Sequence, residues 1–219
     1  MRRLIVASAV LAVIVMLTMG ASEEPVKAPF EGAYLITGDL DRLLEPGAIQ
    51  VTGFYNPTCT NCYLFHKYSD GLFASFGDKI SMAMHPYMHK NEGEEAVRLI
   101  LVAEKHGKQG EAMAALFEAK FVSQVDIDDP EIVGFVAQNL ELADQYAAER
   151  DGEYVQQRLA EAKRLAEENN VHRTPCFFIQ HVLQINSGTC KCQGDTMPQV
   201  VEQTINNLIE YRKTKGIQP

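Results

Sequence analysis

Ile49-Gln50-Val51-Thr52-Gly53-Phe54-Tyr55-Asn56-Pro57-Thr58-Cys59-Thr60-Asn61-Cys62 is the stretch on which the reading of this chain turns. Ile49 to Phe54 is β-branched and aromatic, the composition of a buried strand. Asn56-Pro57 ends it, because a proline disfavours helix at the residue before it and the pair favours a turn. Beyond the turn, Leu64, Phe65 and Tyr68 recur at helical spacing, which puts Cys59 at the start of a helix and Cys62 in its first turns. Unpaired N–H groups and the helix dipole favour negative charge there, so the Cys59 thiol is expected to ionise below the ordinary value of about 8.5. Cys62, one turn further in, is the shielded partner that would resolve a mixed disulfide. C-x-x-C can also be half of a zinc site or a passive disulfide. A zinc site needs a second ligand pair, and Cys190-Lys191-Cys192 has the wrong spacing for one. The order strand, turn, Cys, two residues, Cys, helix favours redox chemistry.

Working outward, Ile80 to His85 reads as a second strand ended by Pro86. With a helix between them, the two strands should be parallel. Ala33 to Thr37 reads as an earlier edge strand. From Gly93 to Asn169 apolar residues recur in helical stripes: Ala96, Val97, Ile100, Leu101; then Met113, Leu116, Phe117, Phe121; then Ile132, Val133, Val136; then Tyr154, Val155, Leu159, Ala162, Leu165, Ala166. Strand character returns at Cys176–Gln180 and Val182–Ile185, with His181 at the turn of a tight hairpin. Ser187 to Asp195 reads as a loop, and Pro198 opens a last helix. This predicts an α/β fold with a mixed sheet, a thioredoxin-like arrangement with a helical insertion between the second strand and the hairpin. Residues 33–90 form its first part, 91–170 the insertion and 171–219 the second part.

Arg2 and Arg3, the uncharged apolar run Leu4–Met19 and the small residues Gly20, Ala21 and Ser22 have the grammar of a secretory signal, expected to cover 1–21. The run is short for a membrane span, though an uncleaved anchor is the other reading. Residues 22–32 read as a linker. All five cysteines lie beyond the leader, in a compartment that permits disulfides, so a periplasmic or secreted location is expected. The net charge of −9 argues against nucleic acid, whose binding is built on Lys and Arg, and gives little support for an anionic membrane surface.

The segment Phe54-Tyr55-Asn56-Pro57-Thr58-Cys59-Thr60-Asn61-Cys62, the helical insertion and Val171-His172-Arg173-Thr174-Pro175-Cys176-Phe177-Phe178-Ile179 together resemble the DsbA-type thioredoxin-fold thiol:disulfide oxidoreductase family. The resemblance covers nearly all of the chain after the leader. It implies that Cys59 and Cys62 are the catalytic pair, and that Thr174-Pro175 is a cis bond beside them whose backbone aligns a substrate. It departs from the family in three ways. Gly53 stands where many relatives keep a buried acid, so the Cys62 proton needs water or another group. His66, on the same helix face as Cys59 and Cys62, is a candidate. The dipeptide Thr60-Asn61 matches neither the Pro-His nor the Gly-Pro of better-known relatives. Three cysteines are extra.

Strand directions place Cys176, Cys190 and Cys192 at the same end of the sheet as Cys59. Cys190 and Cys192 could form a second dithiol exchanging electrons with Cys59/Cys62, the other readings being a local loop disulfide or two separate thiols; Cys176 reads as a small buried hydrophobe. Met82, Met84, His85, Met88 and His89 form a soft-donor group that would suit copper(I), which makes copper handling the rival reading. A non-catalytic binding module is another. The favoured expectation is disulfide exchange on cysteine-containing exported proteins, with an unidentified redox partner, no cofactor or metal, no nucleic acid, contact with membrane only through an uncleaved leader, and a monomeric state.

Overall fold

A computed structural model describes residues 27–217. The leader reading, 1–21, and the start of the 22–32 linker lie outside the described residues. Among those that are described, no helix is long and apolar enough to cross a membrane.

Five strands form one sheet: β1 (Leu35–Ile36), β2 (Ile49–Tyr55), β3 (Ile80–Pro86), β4 (Cys176–Ile179) and β5 (Leu183–Asn186), in the order β1-β5-β4-β2-β3. α1 (Thr60–Tyr68) crosses between β2 and β3, which run parallel with Val51 beside Met82 and Phe54 beside His85. β4 is antiparallel to β2, placing Cys176 beside Phe54, and β5 returns antiparallel to β4. The hairpin turns through Gln180 and His181, both at positive φ, and the Gln180 side chain accepts from Gln50 N at 2.9 Å. The expected edge strand Ala33–Thr37 shrinks to two residues; Leu35 is largely exposed, so little burial rewards extending it.

The inserted helices are α2 (Glu95–Lys105), α3 (Gln109–Phe117), α4 (Pro130–Asn139), α5 (Ala143–Glu149) and α6 (Glu153–Glu168). α2 is their centre. It buries Leu99, Val102 and Ala103 as well as the four residues of its predicted stripe, because α3, α4, α5 and α6 all pack on it. Asp129 caps α4, with Pro130 in its first turn. The Ser187–Asp195 segment is not wholly loop. Asn186 and Thr189 form a reciprocal capping box around the short helical turn α7 (Ser187–Cys190), before α8 (Met197–Thr214).

Alternation along β2 and β4 builds two apolar layers. Val51, Phe177 and Ile179 face α1 and α8, meeting Phe65, Val201, Ile205 and Leu208. Phe54, Cys176 and Phe178 face the other way, against Ala166 of α6 and Val171. A third cluster fills the insertion, and both Tyr55 and Cys62 belong to it. Burying these side chains stabilises each layer by roughly 1.5–3 kcal/mol per large residue, before entropy is counted. Arg212, fully buried on α8, donates to the Leu43 and Gly47 carbonyls (2.7 and 2.8 Å) and fixes the chain entering β2.

Candidate active site

Cys59 is the N-cap of α1, in extended conformation, and its sulfur accepts from Cys62 N at 3.4 Å. It is partly exposed. Its pKa is lowered to about 6: hydrogen bonding from Cys62 favours the thiolate most, burial opposes it, and Thr174 and the backbone N–H groups of Cys62 and Asn61 add to the lowering. Cys62 is 3% exposed, under the insertion's core. Burial, its hydrogen bond to Cys59 and the charge of Cys59 push its thiol well above the ordinary range. The two sulfurs are free thiols with opposite tendencies: one ionises easily, the other holds its proton.

The Thr174–Pro175 bond is cis. It begins β4 at the end of the sheet where α1 starts, and the Thr174 carbonyl lies 3.2 Å from the Cys59 sulfur. Thr174 is buried, so what this edge offers beside Cys59 is mainly backbone.

Asn56 organises the turn between β2 and α1, and the sequence reading missed it. Its side-chain oxygen accepts from Thr58 N (2.7 Å), its carbonyl from Cys59 N (3.1 Å), and its own N–H donates to the Cys62 sulfur (3.4 Å). Its amide donates to Glu92 Oε2 (2.6 Å). Glu92 also accepts from the Thr58 hydroxyl (2.8 Å) and from His89 N (2.6 Å), tying the loop after β3 to the thiol-bearing turn. An Asx turn at Asn56-Pro57-Thr58 was readable from residue types. Glu92 carried no signal, since the partners it ties to the site, Asn56 and Thr58, lie more than thirty residues away in the chain.

Gly53 has no acid to offer, and its space is taken. A Cβ there would run into the Met84 sulfur and crowd the Phe177 ring. His66 packs against Phe117 with ring centroids 5.3 Å apart, and burial lowers its pKa. Among the described residues it makes no hydrogen bond to either sulfur. The strand part of the methionine–histidine group is divided between two faces: Met82 and Met84 join apolar clusters while His85, one residue on, packs against Phe54 on the other face of the sheet. No group of three or more His, Cys, Asp or Glu residues suited to a metal occurs among the described residues.

The remaining cysteines separate in kind. Cys176 is fully buried, accepts from the Asn186 and Gln184 amides (3.9 and 3.7 Å), and burial raises its pKa to about 11. Cys190 and Cys192 are joined in a disulfide. Two residues on, Gly194 N donates to the Asn61 side-chain oxygen at 3.1 Å. The Gly194 backbone lies so close to the Asn61 carbonyl that no Cβ would fit between them.

A mixed sheet with a crossover helix that starts at a C-x-x-C, a cis-proline edge beside it and a helical layer inserted before that edge define a thioredoxin-type redox fold. The family model described as the DSBA-like thioredoxin domain matches residues 74–203, more than half of the chain. The chain therefore belongs to the DSBA-like thioredoxin family, a family of thiol:disulfide oxidoreductases. The matched segment starts after Cys62, so it includes the insertion, the cis-proline edge and the loop disulfide but not the C-x-x-C itself. Solved structures agree on the fold. DsbA from Pseudomonas aeruginosa is 17% identical, with 84% of this chain and 94% of that one covered at a TM-score of 0.64. The DsbA disulfide interchange protein from Klebsiella pneumoniae is 20% identical, with 81% and 95% covered at 0.63. A cysteine-to-serine DsbA from Proteus mirabilis, solved with the non-covalently bound peptide PWATCDS, is 17% identical, with 82% and 96% covered at 0.64. No curated protein sequence matches this chain.

Proposed function

We propose that the protein carries out thiol–disulfide exchange on cysteine-containing exported proteins through a Cys59/Cys62 dithiol–disulfide couple, in the periplasm or outside the cell. The observation that carries this is the pairing of an easily ionised, partly exposed sulfur at the start of α1 with a buried, protonated one directly behind it, both beside Thr174-Pro175. In the oxidised enzyme a client thiolate attacks Cys59. The Cys59–Cys62 bond breaks and Cys62 leaves with the electron pair, then takes up a proton. A second client thiolate attacks its own mixed disulfide and releases Cys59 as a thiolate. The client gains a disulfide, and the enzyme gains two electrons.

A thiolate stabilised in the reduced form favours this direction, because it makes Cys59 a good leaving group and the reduced enzyme the stable product. Thr174 and Pro175 are assigned to client docking: an extended client segment would lie along their backbone, with its cysteine at Cys59. The cysteine-containing peptide bound to the Proteus mirabilis relative supports that kind of client. Export rests on the amino-terminal leader of the sequence. The test is oxidation of a reduced dithiol peptide and reduction of insulin, by the protein and by Cys59→Ser. Activity that survives Cys59→Ser would overturn the assignment.

A further inference from the structure

The Cys190–Cys192 disulfide needs a reason to exist. It closes a ring over a single intervening residue. Restraint of the unfolded chain grows with the length of the loop closed, so this bond is among the least effective staples a chain can make. A domain with three packed apolar clusters gains little from it. Where it sits is more informative. The segment bearing it is anchored on both flanks to the candidate active site. On one flank Asn186, where the segment leaves β5, pairs with Cys176, the residue after Pro175. On the other, Gly194 is hydrogen-bonded to Asn61 and in backbone contact with it, between Cys59 and Cys62. The disulfide lies between those two anchor points, with both half-cystines partly exposed. Lys191 separates them in a left-handed conformation (φ 52°), with its side chain exposed. A cation between two cysteines favours the thiolate of either one once the bond opens, which makes each a better leaving group.

We propose that Cys190–Cys192 is a second redox site, which takes electrons from the reduced Cys59/Cys62 pair within the same molecule. This rests on the assignment of Cys59/Cys62 made above. The Cys59 thiolate attacks one loop sulfur. The Cys190–Cys192 bond breaks, a bond from Cys59 to that sulfur forms, and the other loop sulfur leaves as a thiolate and takes up a proton. Cys62 gives its proton to water and attacks the Cys59 sulfur, forming Cys59–Cys62 and releasing the second loop thiolate, which is protonated in turn. Two electrons have moved from one pair to the other, one of the two protons taken up by the loop is balanced by the proton Cys62 gives to water and the other comes from solvent, and no external oxidant is used. The fully oxidised protein thus stores two disulfides that can be passed on, four electrons' worth of oxidising capacity. A small external disulfide reoxidises the loop pair by the same exchange.

The experiment counts equivalents. Fully oxidised protein is mixed with an excess of reduced dithiol peptide, with no other oxidant present. Expected are two peptide disulfides per wild-type molecule, one for C190A/C192A and none for C59S/C62S. One per wild-type molecule overturns the proposal and leaves the Cys59/Cys62 assignment standing. None from either wild type or C190A/C192A removes that assignment itself. One from C59S/C62S overturns the internal route, since the loop would then react with clients directly. If C190A/C192A does not fold, Cys62→Ser decides alone: peptide mapping without reductant should find Cys59 bonded to Cys190 or Cys192, and an intact loop disulfide beside a free Cys59 overturns the proposal.

Discussion

At the head of α1 two cysteines stand three residues apart on a helix; in the β5–α8 connection two stand two apart around a left-handed lysine. The first pair has an electrostatic gradient built into it. Hydrogen bonding from Cys62, with the backbone N–H groups of α1, converges on Cys59, and the insertion buries Cys62, so the sulfurs differ in acidity before any client arrives. The second pair is a short disulfide ring with partial exposure and a neighbouring charge. Helix geometry, rather than the presence of two cysteines, is what sets the two sulfurs of the first pair apart in acidity. Tyr63 extends the same logic: it stacks on Phe121 at 4.9 Å and packs near Phe117, holding α1 to the inserted layer that covers Cys62.

The largest effect that would break the comparison is chemical. Cys59→Ser should lower dithiol oxidation by about a thousandfold or more, while Cys62→Ser should still capture clients covalently and fail to turn over; steady-state rates and non-reducing mass analysis read both. Next comes the contact between the two regions. Gly194→Ala forces a Cβ onto the Asn61 carbonyl, and overpacking against backbone should cost about 1–3 kcal/mol in denaturant unfolding. It should also raise the Cys59 pKa, since Asn61 N is one of the donors holding the thiolate. Glu92→Ala releases the Asn56–Thr58 turn and should cost about 1–2 kcal/mol, with Glu92→Gln milder. Thiolate absorbance should titrate near pH 6 in the reduced protein and lose that transition in Cys59→Ser. The folded pKa lies below the unfolded one, so between about pH 6 and the ordinary thiol range of about 8.5 the unfolded chain holds the extra proton. The stability of the reduced protein relative to Cys59→Ser should therefore rise with pH through that window, and the contribution should vanish below pH 6. The smallest effect belongs to the loop pair: C190A/C192A should change stability by no more than about 1.5 kcal/mol.

What could be read in advance divides by range. β2, β3, α1 and the hairpin were visible because their apolar periods and their breakers, Pro57 and Pro86, are local. β1 shrank because an exposed edge gives pairing little to gain. α2 was read as a single stripe and proved to be a core helix, since Leu99, Val102 and Ala103 beside that stripe are also covered by neighbours that only the tertiary fold supplies. In the site, Cys59 and Cys62 could be placed from spacing, and the cis bond at Thr174-Pro175 from the family resemblance. Asn56 was within reach of turn chemistry. Glu92 and Gly194 were not, because each acts across a long stretch of chain on a residue that gives no hint of it. α7 was hidden by Gly188, although its Asn186 and Thr189 capping pair was present in the sequence.

The methionine that fills the space beside Gly53 has a kinetic corollary. With thioether and ring carbon where a carboxylate could have stood, no carboxylate reaches the buried sulfur from position 53, and its hydrogen exchanges with solvent. Covalent enzyme–client adducts should then persist longest in acid and decay faster with rising hydroxide, with a measurable deuterium slowing. Acid quenching would make such adducts recoverable from intact cells, turning a gap in the proton path into a means of finding the clients.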